Sequence, residues 1–405
     1  MQLEVFMPSD ANALALRRIA EADPVLVGFE RAADALNLGQ GELGHAGAPF
    51  DAADAIPPVV LNALAGAVIH EGWAGTIDEA RALIRAGSIR LRSNHDLGTV
   101  SPMAGVVRPS QTVMRIENRA GDGIAYATLA EGGRKALRFG VYNEGVAEGL
   151  RWLDQKLGPA LSRALPPGGL PILPLVRDGV ALGDDVHQRN IGGMASFIRA
   201  LGDLDSPERA WLFANPQHFL NYAMAAAKLA LDRADGIADS TIVTAISRNG
   251  VTCGVRIAGA GRRWFTAAAV VPQGGFFAPF TLRDAQADLG DSAIMEAYGL
   301  GGAIAHASPE LAGAMGRPWD EAIGVGLAMR RLFVERHPTI APVLCGEAGV
   351  GLGLDAERVV EANISMRIHT GIAHKDGETG WIGLGVAEAP VACFSAALAA
   401  LKGKI

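Results

Sequence analysis

The chain has 405 residues, of which 49% are hydrophobic and 20% charged, and a formal net charge of −7. The composition excludes a disordered chain, and the acidic balance argues against a general nucleic-acid binder, which would show a basic face. The length suggests two or three domains. The three cysteines, Cys253, Cys345 and Cys393, form no C-x-x-C, so a reduced compartment is expected and a cysteine zinc site is not. No basic start followed by an apolar run is present, and charges interrupt every apolar stretch before it reaches membrane-spanning length. A cytoplasmic protein is therefore expected, with no membrane and no nucleic acid as partner.

In chain order, ANALALRRIAEA has helical periodicity and PVLVGFERA reads as a short buried strand. The glycine-rich loop GQGELGHAGAPF follows. PPVVLNALAGAVIHEGWA begins with prolines, which suit a first helical turn. TIDEARALIRAG is a compact helix, with Thr76 and Glu79 at capping-box positions and Gly87 at its end. SIRLRSNHDLGTVSPMAGVV runs from strand to a loop holding His95 and Asp96. VMRIENR and GIAYATLA pair around the turn AGDG. A mainly helical stretch extends from Gly145 to about Ala234 and is broken at ALPPGGLPILP.

The strand STIVTAIS, the turn RNG and the strand VTCGVRIAG form a meander, with Val251, Cys253, Val255 and Ile257 on one face. RRWFTAAAVVP supplies a third strand. GDSAIMEAYGLGGAIAHA starts a small-residue helix that Asp291 or Ser292 can cap. LDAERVVEA is a short helix, ISMRIHTGIAHK a strand and loop, and APVACFSAALAAL a final helix. The pattern predicts an α+β fold in three segments: an N-terminal α/β region over 1–145, a mainly helical region over 146–235, and a C-terminal antiparallel sheet with helices over 236–405.

Five clusters combine polar residues with small ones. GLGLDA at 351–356 fits G-x-G-x-x-A, but the weak strand before it favours a structural turn over a dinucleotide site. In HFLNYAMAAAKLALD, His218, Asn221, Lys228 and Asp232 stand at offsets 0, 3, 10 and 14, one stripe of a helix that either lines a cavity or faces solvent. GDDVHQRN gathers Asp184, Asp185, His187 and Arg189. It can cap a helix, or clamp a carboxylate through Arg189, and its spacing matches no strong zinc signature. SNHDLGTVSPMAG and HTGIAHKDGETGWIG place His95, Thr99, Ser101, His369, Thr370, His374 and Lys375 in loops after strands, where binding residues concentrate. Such groups suit a small anion, and no metal is expected. No nucleophile elbow is present.

HAGAPF, HEGWAGTIDEA, HDLGTVSPMAGVV, LRFGVYNEGV, GDDVHQRN, FLNYAMAAAK, SRNGVTCGVRIAG, LGDSAIMEAYGLGG and HTGIAHKDG occur in this order. From about residue 20 to 400 the chain resembles the oxamate carbamoyltransferase G-subunit family, long catalogued as a domain of unknown function. The resemblance implies a subunit working with two other proteins, one of them acyl-CoA-synthetase-like, in allantoin catabolism and nitrogen metabolism. The implied reaction converts oxalurate and phosphate to oxamate and carbamoyl phosphate. The ligands would be a small ureido carboxylate and, as co-substrate, phosphate or carbamoyl phosphate, with no cofactor. The S-x-R-T-R loop of other carbamoyltransferases is missing, and SMRIHT at 365–370 is only a faint echo of it. Ala130 stands where the family pattern has asparagine, and Ser101 where it has glycine.

For such ligands Arg189, Lys228 and Arg248 are the candidate anion-binding cations. His95, His187 and His374 are the proton-transfer candidates. Asn190, Asn221 and Asn249 would orient a carbonyl, joined by Thr370. Asp184 and Asp291 would orient a histidine or cap a helix. Two rival readings stay open: an amidohydrolase opening a cyclic ureide, and a non-catalytic metabolite-binding subunit. GLGGAIAHASPELAGAMG permits close helix approach, either in a homo-oligomer or subunit interface or within the chain.

Overall fold

The computed structural model describes residues 9–340 and 343–403. Its first sheet grows from a hairpin that the alternation of apolar residues dictates. Strands β3 (Thr112–Asn118) and β4 (Ile124–Thr128) pair antiparallel, with Met114 opposite Ala127 and Ile116 opposite Ala125. Strand β1 (Pro24–Arg31) pairs on the other side of β3, through a bulge between Leu26 and Gly28. Strand β2 (Thr99–Val100) runs parallel to β4, and β5 (Leu170–Pro171) closes the far edge, giving the order β2-β4-β3-β1-β5. The Pro/Gly break within the helical stretch thus supplies an edge strand to this sheet.

The meander forms as its alternation predicts. Strands β6 (Val243–Asn249), β7 (Thr252–Ile257) and β8 (Phe265–Ala268) are antiparallel neighbours. Asn249 Oδ1 accepts the Val251 and Thr252 N–H groups at 3.0 and 2.8 Å and so shapes the hairpin turn. Cys253, Val255 and Ile257 are fully buried, but Val251 belongs to the turn and is 38% exposed, so the predicted apolar face begins two residues later. A third sheet combines β9 (Gln273–Phe276) with β11 (Met366–Ala373) and β12 (Trp381–Ala389), in the order β9-β12-β11. The short strand β10 (Leu289–Gly290) pairs with the end of β6. The architecture is α+β.

The helix Phe219–Asp232 is buried from Phe219 to Leu231 and packs against β4 and β6, between the first two sheets. A helix apolar on nearly every side belongs in the interior. One core joins residues from Ala15 to Leu398 and so draws on all three sequence segments. A second core lies under the helices Pro58–His70 and Ile77–Arg85. The capping box of Thr76 and Glu79 is present, and Gly87 follows the helix at φ +71°.

Two motifs take structural roles. Gly351–Leu354 of GLGLDA is itself a strand, and Asp355 caps the helix Ala356–Ala362. A Cβ would lie 2.4 Å from Phe333 Cγ at Gly351 and 2.1 Å from Leu16 Cδ2 at Gly353, so these glycines admit neighbouring side chains. Near β10, neither Asp291 nor Ser292 acts as the expected cap: the short helical turn Asp291–Ala293 follows Gly290 with no side-chain cap, because the Asp291 carboxylate is engaged elsewhere. No helix among the described residues is long and apolar enough to cross a membrane.

Burial lowers the pKa of His45, His218 and His337 to about 4 in each case. Between the ordinary histidine value of 6.5 and about 4, the unfolded chain takes up protons that the folded chain refuses. Stability is therefore full above that window and falls as the pH drops through it. The melting temperature should decrease between pH 7.5 and pH 5, and His337→Gln should make that decrease shallower.

Candidate active site

Residues from the glycine-rich loop, the SNHDLGTVSP loop and the meander meet at one carboxylate. Asp291 is completely buried where β10 ends. Its Oδ1 accepts the Gly47 N–H at 3.0 Å and the Ser247 hydroxyl at 2.6 Å. Its Oδ2 accepts the Asn94 amide at 2.9 Å and the Ser101 N–H at 3.0 Å. Burial pushes the Asp291 carboxyl above its ordinary range, while these four donors act in the opposite direction. Gly47 stands at φ +85°, and a Cβ there would lie 2.7 Å from the Arg248 carbonyl carbon, so only glycine lets its loop close onto β6. His95 Nε2 is 3.6 Å from Asp291 Oδ1. Burial, followed by the charges of Lys228 and Arg256, keeps that imidazole neutral.

From this carboxylate a polar chain runs to the predicted helix stripe. The Ser101 and Thr128 hydroxyls are 2.8 Å apart. Asn221 Nδ2 donates to the Thr128 carbonyl at 2.6 Å, and Asn221 Oδ1 is buried without a partner. His218 lies beneath the Ala130 carbonyl, with Nδ1 at 3.3 Å. Lys228 pairs with Asp232 at 2.7 Å and reaches the His95 carbonyl at 3.4 Å. The stripe therefore faces the protein interior along its first three members, and Asp232 marks where it reaches the surface.

Beyond Ser101 and Thr128 lies a small pocket that also touches Gln111, Ala130, Glu131 and Arg138. Ser101 and Ala130, the two departures from the family pattern, thus share one wall. Arg138 Nε is buried and has no hydrogen-bond partner. Burial raises the Glu131 pKa, opposed by the Arg138 charge and by the Arg138 N–H, which donates to Glu131 Oε2 at 3.2 Å. Glu131 also lines a larger open chamber of about 630 Å³, so it stands where the two spaces meet. The pocket itself has a volume of only about 10 Å³, room for about one water, so a small carboxylate carrying an amide would meet its cation, carboxyl and two hydroxyls only after its walls move apart.

GDDVHQRN answers to helix capping and to two acid–histidine pairs. Asp184 accepts the Gly193 N–H at 2.8 Å in the first turn of the helix Ile191–Ala200 and takes Arg189 Nη1 at 2.6 Å. Asp185 Oδ1 accepts the N–H groups of His187, Gln188 and Arg189 at 3.0, 2.9 and 2.8 Å. Asp185 Oδ2 lies 2.7 Å from His369 Nδ1, and His187 Nδ1 lies 2.8 Å from Glu296 Oε1. Glu296 accepts the Gly302 and His369 N–H groups as well, at 2.8 and 3.1 Å. No group of three or more potential metal ligands is assembled among the described residues.

None of the candidates lines the inner pocket: Asn221 and Asp291 bond to Thr128 and Ser101 of its wall, His95 stands beside Asp291, and the others lie elsewhere. The Arg189 charge is met by Asp184, and Arg248 holds Asp288 through Nε and Nη2 at 2.6 and 3.2 Å. Thr370 donates to the same Asp288 at 2.8 Å. Asn190 donates to the His187 carbonyl and Gln217, both at 3.1 Å. Asn249 shapes its hairpin turn, and His374 pairs with Asp376 at 2.9 Å after β11. Glu131 and Arg138 carry the pocket instead. Only the glycines after Glu131 hinted at them, because an arginine in ALRFG reads as an ordinary solvated side chain.

The chain matches the model of the family described as oxamate carbamoyltransferase subunit AllG over residues 89–292. It is 38% identical over 408 residues to "Oxamate carbamoyltransferase subunit AllG" of Escherichia coli K12, covering 97% of each chain. The chain belongs to the AllG family. It is also similar to an E. coli relative known as "Uncharacterized protein YahG", with 34% identity over 96% of this chain and 84% of that one. A crystal structure of a conserved protein of unknown function from Enterococcus faecalis V583 shares the fold, with a TM-score of 0.91, 32% identity, and coverage of 98% of this chain and 97% of the other.

The Asp291 carboxylate is central enough for a strong stability test. Asp291→Asn places an amide NH2 against groups that are themselves donors. It should destabilise the fold by about 3 kcal/mol, read as a lower urea midpoint. Ser247→Ala removes one donor and should cost about 1–2 kcal/mol.

Proposed function

We propose that this chain is a subunit of a carbamoyltransferase-type complex that acts on oxalurate or a related ureido carboxylate, with phosphate as acceptor. The carrying observation is Arg138, a cation whose buried Nε has no partner and which lines one pocket with the Ser101 and Thr128 hydroxyls; Asn221, bonded to Thr128, keeps an unpartnered Oδ1 behind that wall. A ureido carboxylate offers the complement, an anion and an N–H donor. The carboxylate end lies on Arg138, and the ureido N–H groups face Asn221 and the Ser101–Thr128 hydroxyls.

In this reading a phosphate oxygen attacks the ureido carbon, and the bond from that carbon to the oxamate nitrogen breaks. The leaving nitrogen needs a proton. Glu131, whose pKa burial raises, supplies it, and the products are oxamate and carbamoyl phosphate. Phosphate is the co-substrate, and the partner subunits, one of them acyl-CoA-synthetase-like, complete the complex. The family membership supports the reaction class, and the printed name of the E. coli relative supports oxamate as a ligand.

The test follows carbamoyl phosphate formed from oxalurate and phosphate by the purified chain, alone and with its partner subunits. Arg138→Ala should weaken oxalurate binding about a hundredfold. Glu131→Gln should lower turnover by about a hundredfold or more while oxalurate still binds. In the parent protein, activity should fall as the pH rises through the raised Glu131 pKa, and that limb should vanish in Glu131→Gln. Wild-type turnover in both variants would remove the pocket assignment. Equal turnover without phosphate would move the reaction to hydrolysis.

A further inference from the structure

The outer chamber is larger than the proposed reaction needs. Its volume is about 630 Å³, within the range of about 300–1,000 Å³ that holds drug-sized ligands, whereas oxalurate and phosphate are a handful of atoms each. Its floor is one face of the helix Glu144–Trp152 and the residue after it: Val146, Gly149, Leu150 and Leu153. Trp152 and Trp211 form one end, with ring centres 5.4 Å apart and planes tilted by 42°. Both indoles are only half-buried.

Gly149 is the second observation. Glycine weakens a helix interior, and several helical glycines of this chain make room for a packed neighbour, although Gly313 and Gly324 do not. A Cβ at Gly66 would lie 2.7 Å from Leu137 Cδ1, and one at Gly193 would lie 2.4 Å from Phe219 Cε1. A Cβ at Gly149 would meet nothing within 4 Å. No neighbour within the chain uses the space that Gly149 leaves, and that space opens into the chamber.

The polar groups around the chamber are complementary to one another. Asn215 Nδ2 is committed to the Trp211 carbonyl at 2.9 Å, which leaves Oδ1 as an acceptor near the indoles. At the start of the helix floor, Asn143 Oδ1 accepts the Val146 N–H at 3.0 Å, which leaves Nδ2 as a donor. Lys135 adds an exposed cation to the lining. The nine-residue helix separates the Asn143 end from the Trp152 end by about 13 Å at its usual rise.

We propose that the outer chamber is a nucleotide site, with a planar heterocycle lying over Gly149 against Trp152 and Trp211 and its phosphate tail towards Lys135 and Asn143. The indoles supply stacking surface, and Asn215 Oδ1 accepts from an exocyclic amine. The proposal does not require oxalurate to be the substrate.

The test titrates the purified chain with AMP, ADP and ATP, and with inorganic phosphate alone, following tryptophan fluorescence and heat. Saturable quenching by at least one nucleotide is expected. Gly149→Leu should weaken that binding tenfold or more while its melting temperature stays at or above the parent's, since leucine is the better helix former. Arg138→Ala should leave nucleotide binding unchanged, whereas failure of the inner-pocket reading would show separately as unaltered oxalurate binding in that variant. No saturable quenching, a response to phosphate alone, or equal nucleotide affinity in Gly149→Leu overturns the proposal. So does a Gly149→Leu variant that loses only its association with partner subunits, which assigns the chamber to a protein segment.

Discussion

A carboxylate sealed from water and held by four donors is the constraint on which the rest of this structure depends. Burying an ion is costly unless every lone pair finds a partner. Asp291 meets that condition with Gly47, Asn94, Ser101 and Ser247, groups drawn from three separate stretches of chain. Its bonds tie the glycine-rich loop and the HDLGTVSP loop to the C-terminal meander. They also set Ser101 against Thr128, and through Thr128 they orient Asn221. The geometry of the inner pocket is therefore a consequence of how one buried charge is satisfied.

The same logic separates structural cations from a binding cation. Arg189, Arg248, Lys228 and Arg256 each face a carboxylate of the chain, from Asp184, Asp288, Asp232 and Asp96 respectively. A cation already paired in this way has little left to offer a ligand without breaking that pair. Arg138 differs in forming no such ion pair among the described residues, and its buried Nε, like that of Arg256, has no partner. An acidic protein can still hold a small anion, because recognition depends on the local donors and not on the net charge of −7.

Local features were legible in the sequence. Alternation identified the hairpin of β3 and β4, and the capping box at Thr76 and Glu79 required only three residues' separation. The helix stripe was visible as spacing, although spacing alone left open whether it faced solvent or a cavity. The site itself was harder to read. The bond from Gly47 to Asp291 spans 244 residues, and no local pattern records it. Asp291 resembled a helix cap because it precedes a helix, and only the tertiary arrangement draws its carboxylate away. GDDVHQRN attracted attention by its density of polar groups, most of which satisfy one another. Glu131 and Arg138 stood in an unremarkable context, and their importance comes from burial, which a sequence does not display.

The most direct measurement is a crystal structure of the chain soaked with oxamate. The account predicts oxamate in the inner pocket, its carboxylate on the Arg138 guanidinium and its amide nitrogen donating to Asn221 Oδ1. Oxamate bound instead at Arg189 or Arg248, with the Asp184 or Asp288 pair opened to receive it, would contradict the account.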